Sequence, residues 1–286
     1  MRAEQVTAAE ADHAEGPVWW GPWGGLRYVD MLAGDVLTLR DDGSVTRTRV
    51  GAVVAALRPR AGGGAVLALE RSFALAARDD LTDVRELGEV WTDPAVRFND
   101  GGCDPDGRFY CGSMAYDATP GAAALYRLAP GAEEEPRAVL QGVTVSNGLG
   151  FSPDGHLAYY NDTATGRTDV FDYDTVNGLG RRRPFVRFAT GAGLPDGLCV
   201  DAEGGVWVAL WGGSAVHRYA PDGTLDRVVT LTASQVSACV FGGPDLDTLY
   251  VTTSRTGLPP GAEPAAGAVF AVRPGVTGLP ALPYRG

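Results

Sequence analysis

One short phrase recurs along the chain and limits its fold more than any other feature. A Pro/Asp/Gly turn is followed at once by an alternating strand of aromatic and β-branched residues. It stands as Asp104-Pro105-Asp106-Gly107 before Arg108-Phe109-Tyr110-Cys111-Gly112, and as Ser152-Pro153-Asp154-Gly155 before His156-Leu157-Ala158-Tyr159-Tyr160. A third copy is Asp201-Ala202-Glu203-Gly204-Gly205 before Val206-Trp207-Val208-Ala209-Leu210, and weaker copies precede residues 26–30, 65–69 and 248–252. Six copies spaced by roughly 39 to 49 residues match the period of a propeller blade. Each copy supplies the turn of an inner hairpin. A second hairpin follows in segments such as 166–173 and 214–219, which completes a four-stranded blade. Residues 71–78 and 122–128 could form a helical turn but read better as strands in this context. The expectation is an all-β, six-bladed β-propeller, one domain over residues 1–286, whose inner strands surround a central channel. Circular closure would remove the exposed sheet edges that a flat array leaves. A β-sandwich with regular turns is the competing fold, and the repeat spacing disfavours it.

Composition narrows the partners. Gly 40 and Pro 19 are spread along the chain, as frequent tight turns require. The chain contains no lysine and carries a formal charge of -11, with no basic run. An acidic surface of that kind argues against nucleic acid or an anionic membrane as partner. Residues 1–14 alternate Ala with Glu and Asp and lack the apolar core of a signal peptide. A cytoplasmic monomer acting on a small molecule is therefore expected. Cys103, Cys111, Cys199 and Cys239 form no Cys-x-x-Cys pair and read as small buried hydrophobes. Only Cys103 with Cys111, across a hairpin, suggests a disulfide.

Polar residues set in apolar, glycine-rich strands are the candidates for chemistry, because burying them requires a partner. They are Glu15 in Ala14-Glu15-Gly16-Pro17-Val18-Trp19, and Arg97, Asn99 and Asp100 in Arg97-Phe98-Asn99-Asp100-Gly101-Gly102. Asn147 in Ser146-Asn147-Gly148 and Asp196 in Leu194-Pro195-Asp196-Gly197 complete the set. Each precedes its turn phrase by a similar interval, so Asn99, Asn147 and Asp196 should reach the same end of the channel, with Glu15 at the matching place. The alternatives are structural. Asn147-Gly148 and Asp196-Gly197 could be hairpin turns, Arg97 could pair with Asp100, and Trp19, Trp20, Trp23 and Trp211 could pack between blades. His13, His156 and His217 read as surface or strand residues.

In this order the segments Glu15-Gly16-Pro17-Val18-Trp19, Arg97-Phe98-Asn99-Asp100-Gly101, Asp104-Pro105-Asp106-Gly107-Arg108, Gly112-Ser113-Met114, Ser146-Asn147-Gly148, Leu194-Pro195-Asp196-Gly197 and Phe241-Gly242-Gly243 resemble the SMP-30/gluconolactonase (regucalcin-like) family over nearly the whole chain. The resemblance implies that Glu15, Asn147 and Asp196 bind one divalent metal ion. It also implies that Arg97, Asn99 and Asp117 contact substrate and that a small lactone, such as a sugar lactone, is hydrolysed. Oxygen-only ligands suit hard cations, with Ca²⁺ the first expectation and Mg²⁺, Mn²⁺ or Zn²⁺ the alternatives. The ion would polarise the lactone carbonyl. Asp196, or hydroxide held by the ion, would take the proton of the attacking water. Other outcomes on such a scaffold are phosphotriester hydrolysis, a biosynthetic reaction, or calcium or ligand binding without turnover. Two departures bear on the pocket wall: Gly102 stands where a longer side chain is common, and small residues fill the loop after Met114.

Overall fold

In a computed structural model, which describes residues 1–40, 42–131 and 135–286, the strands form six antiparallel four-stranded sheets. Their inner strands are Ala14–Trp20, Val54–Pro59, Val96–Cys103, Ser146–Phe151, Leu194–Val200 and Val236–Gly242, and define blades one to six in that order. Every copy of the recurring phrase joins an inner strand to the second strand of its blade. In three blades the turn has the same construction. Gly107, Gly155 and Gly204 take φ of 78°, 71° and 81°, a conformation that only glycine adopts without strain. Their N–H groups donate to the carbonyls of Asp104, Ser152 and Asp201 at 2.9, 2.9 and 3.0 Å. The side chains of Asp104 and Asp201 also accept backbone N–H groups within these turns. Both segments weighed as helical turns are strands, Ser72–Ala76 and Ala123–Leu128.

The ring closes through the start of the chain. Glu4–Gln5 pairs antiparallel with Val269–Val272 and supplies the outer strand of blade six. Two exposed residues of strand leave no readable alternation, so this closure is invisible in the sequence. Near the axis, Ser237 Oγ donates to the Ala14 carbonyl and Trp19 stacks on Tyr250 at 5.7 Å, joining blades six and one. Blade faces bury aromatic and aliphatic side chains against their neighbours, including Phe73, Phe98, Phe109, Tyr160 and Trp207. These apolar interfaces are the main source of stability.

The last residues cross the base of the ring. Ala202 N donates to Thr277 O, Gly278 N to Leu246 O, Tyr284 N to Pro59 O and Arg285 N to Gly107 O, so the tail touches the turns of blades five, six, two and three. Above it lies a cavity of 470 Å³ lined by Arg58, Asp100, Leu198 and tail residues 279–282. Among the described residues, no helix is long and apolar enough to cross a membrane. As expected, the four cysteines are free thiols, three of them buried; the close pair is not Cys103 with Cys111 but Cys199 with Cys239, whose sulfurs lie 3.7 Å apart between blades five and six.

Candidate metal centre

Each inner strand loses register with its neighbour once, near its head. The shifts fall between Glu15 and Val18, Val54 and Ala56, Phe98 and Gly101, Ser146 and Leu149, Pro195 and Leu198, and Val236 and Ala238. A bulge adds a residue and re-aims the side chains beside it. Asn99, Asn147 and Asp196 all lie inside such bulges, and Glu15 borders one. Asn147-Gly148 and Asp196-Gly197 are therefore bulge pairs within strands and not hairpin turns. Their glycines serve close approach: a Cβ on Gly148 would sit 2.5 Å from Leu198 N, and one on Gly197 2.4 Å from Ala238 Cβ. Inner strands that converge on an axis leave no room for a methyl group there.

At the end of the channel away from the tail, Glu15, Asn147 and Asp196 are buried. Asn147 Nδ2 donates to Thr163 Oγ1 at 3.0 Å, and Thr163 Oγ1 donates to Pro195 O at 2.8 Å. This relay orients the amide and leaves Asn147 Oδ1 buried with no hydrogen-bond partner; Asp196 Oδ1 is likewise unpartnered. An orphaned buried acceptor costs about 1–3 kcal/mol. Glu15 Oε2 accepts from Gly16 N at 3.0 Å. Burial raises the Glu15 carboxyl well above its usual range, and the charges of Asp196 and Asp100 raise it further. Asp196 is raised for the same first reason, with Asp100 adding to it. Carboxylates that burial and mutual repulsion destabilise, beside two unsatisfied oxygens, fit a hard divalent cation. Among the described residues no three His, Cys, Asp or Glu side chains gather as ligands, so an all-oxygen set here depends on the Asn147 amide.

Arg97 is also buried in this region. Its Nη1 donates to Asn99 Oδ1 at 2.7 Å and to Phe98 O at 2.9 Å, and lies 2.9 Å from Met31 Sδ. Asn99 Nδ2 in turn donates to Ser146 O at 2.9 Å, tying blade three to blade four. Arg97 Nε has no partner. Asp100 does not pair with Arg97: it accepts from Gly101 N at 2.7 Å, and the opposing charge that lowers its raised carboxyl is Arg58. Asp117 does not join the group either. It is exposed and accepts from Thr119 N and Oγ1 at 2.9 and 2.7 Å, a local turn that also lowers its carboxyl pKa.

Several residues of this end escaped the sequence reading. Tyr116, one position before Asp117, places its ring 5.6 Å from the Arg97 guanidinium. His13 is no surface residue. It is buried, its Nδ1 lies 2.8 Å from Ser254 Oγ, and burial followed by the charge of Arg97 pushes it down to about 4. His156 is exposed and His217 lies in a strand, as expected. Thr163 and Arg58 stand in ordinary sequence contexts that carried no signal.

Comparison with known proteins finds relatives of this chain along its whole length. The family model described as "SMP-30/Gluconolactonase/LRE-like region" matches residues 13–255. Regucalcin of Danio rerio is 36% identical over 301 residues, covering 100% of this chain and 99% of that protein. The crystal structure of a calcium-binding protein, regucalcin, from Agrobacterium tumefaciens superposes with a TM-score of 0.91 at 28% identity, covering 100% of this chain and 97% of the other. A luciferin-regenerating enzyme superposes with a TM-score of 0.90 at 28% identity, covering 99% of each chain.

Proposed function

Because this chain belongs to the SMP-30/Gluconolactonase/LRE-like family, we propose that it is a metal-dependent hydrolase that opens the ring of a small lactone. The observation that carries the reading is the pair of buried, unpartnered oxygens, Asn147 Oδ1 and Asp196 Oδ1, beside a buried Glu15 carboxyl that accepts from Gly16 N. Glu15, Asn147 and Asp196 would hold the ion, with calcium favoured by the oxygen donors and by the calcium-binding relative. When bound, a divalent cation supplies a Lewis acid for the lactone carbonyl.

The chain's own residues supply the rest. Asp196, whose buried Oδ1 has no hydrogen-bond partner, would take the proton of the attacking water. Arg97 stays a cation despite burial, because a guanidinium has a very high intrinsic pKa. Its Nη1 is anchored by Asn99 and Phe98, which leaves its unpartnered Nε as a donor for a substrate oxygen. Asn99 thereby acts as a positioning residue for Arg97 as well as a candidate substrate contact. Thr163 engages the Asn147 amide nitrogen, so the amide oxygen is the atom that would be left to hold an ion.

The test is a pH-indicator hydrolysis assay on chelator-stripped protein, with a panel of lactones and Ca²⁺, Mg²⁺, Mn²⁺ or Zn²⁺ added back, beside an Asn147→Ala control. Ring opening that needs metal and is lost in the control supports the reading. Metal binding without turnover of any lactone overturns it in favour of a calcium-binding protein.

A further inference from the structure

We propose that the mouth of this site selects lactones bearing an apolar substituent over polyhydroxylated sugar lactones, with Tyr116 as the specificity-determining side chain; the inference rests on the lactonase reading above. It starts from what the loop after the second strand of blade three presents. That strand ends at Ala115, and the next two side chains part company. Asp117 turns into its own loop and is occupied by Thr119. Tyr116 lies over Arg97, with its hydroxyl donating to Glu70 Oε1 at 2.6 Å, and the residue is 48% exposed. A substrate resting near Arg97 therefore meets a fixed aromatic face where a carboxylate could have met a hydroxyl.

Two more apolar side chains are exposed at this end of the blades. Leu32 and Leu194 are 42% and 47% exposed. Leu32 follows Met31, whose sulfur touches Arg97, and Leu194 heads the strand that carries Asp196. Leu32, Tyr116 and Leu194 belong to blades one, three and five, and each lies beside the head of its blade's inner strand. Leu194 pairs across its hairpin with Trp211, which in turn packs edge-on against His13 at 5.7 Å. Apolar side chains left in water beside a site give a substrate's apolar substituent area to bury.

Polar groups at the same end are already engaged. His13 Nδ1 is with Ser254, Gln235 Nε2 donates to Ser254 O and Thr256 O, and Thr163 is committed to Asn147 and Pro195. A site that recognises several hydroxyls needs free donors and acceptors to meet them, and gains its discrimination from those pairs. Beyond Arg97 Nε, the groups named here leave little to meet a polyol, while the exposed side chains offer apolar area to a substituent.

The experiment compares kcat/KM, corrected for spontaneous hydrolysis, for two six-membered lactones: one with an unbranched pentyl substituent, the other glucono-δ-lactone. The metal-loaded protein is used with Tyr116→Ser, Leu194→Ser and Tyr116→Phe beside it. The alkyl lactone should be preferred by about tenfold or more, since each buried methylene adds discrimination. Tyr116→Ser and Leu194→Ser should each erode that ratio severalfold, and Tyr116→Phe should keep it. A preference for the sugar lactone, or a ratio that neither serine variant moves, overturns the inference. The matching lactams, which are not hydrolysed, are titrated by calorimetry in parallel. If no lactone is turned over, the lactonase reading fails by itself. Tighter binding of the pentyl lactam, weakened in Tyr116→Ser, would still support the apolar rim, and equal or absent binding of both lactams would overturn it.

Discussion

Replacing Gly148 with alanine puts one methyl group between blades four and five, at the point that holds both Asn147 and Asp196. The added Cβ would lie 2.5 Å from Leu198 N and 2.8 Å from both Asp196 O and Leu198 Cγ. Carbon and its neighbours prefer about 3.5–4.0 Å, so the two inner strands must part by about 1 Å. Gly148 does not occupy the left-handed region, so the penalty comes from contact alone. Overpacking of this kind costs about 1–3 kcal/mol. For a chain of this size that corresponds to a fall in Tm on the order of 2–10 °C. The larger effect is on function: a displacement of about 1 Å between two groups that must act together can cost about 100-fold. Thermal unfolding of the apo protein and calorimetric titration with Ca²⁺ read the two effects separately. Gly62→Ala is the control, since its Cβ would meet nothing within 4 Å. Wild-type Tm and wild-type metal affinity in Gly148→Ala would refute the idea that contact between inner strands sets the ligand geometry.

Thr163→Val keeps the shape of the side chain but removes the acceptor for Asn147 Nδ2 and the donor to Pro195 O. Metal affinity should fall about 10- to 100-fold, the usual effect of losing a partner that orients a ligand, and calorimetry with Ca²⁺ measures it. Asp196→Asn should lower turnover by about 100- to 10,000-fold while circular dichroism stays native; activity near wild type with normal metal content would remove Asp196 from the role of base. Treatment with a thiol oxidant should join Cys199 to Cys239, whose sulfurs are already 3.7 Å apart, and peptide mapping by mass spectrometry should find no Cys103–Cys111 link.

The repeat phrase made the propeller legible because its information is local. A turn that needs glycine at positive φ and a strand that alternates in pattern are properties of a few adjacent residues, and six copies multiply the signal. The four candidate segments were legible for a related reason. Glu15, Asn147 and Asp196 are polar residues in runs of small and apolar ones, which is a local anomaly, and the family resemblance ordered them. What those residues touch was not local. Arg97 and Asp100 are three apart, yet one faces Asn99 and Tyr116 while the other answers to Arg58 from blade two. The bulge between Phe98 and Gly101 separates them, and no pattern in the segment announces its position.

The sequence by itself determined the blade count, the turn chemistry and which strands carry polar heads, since each depends on residues adjacent in the chain. Tertiary structure alone decided which of two neighbours, Tyr116 or Asp117, faces Arg97, and that Thr163, in the 3₁₀ turn after the next strand, orients Asn147. It also brought residues 4–5 into the last blade and set Cys199 against Cys239 and not Cys103 against Cys111. These outcomes depend on how closely six strands can approach one axis, which is a property of the closed ring and of no single segment within it.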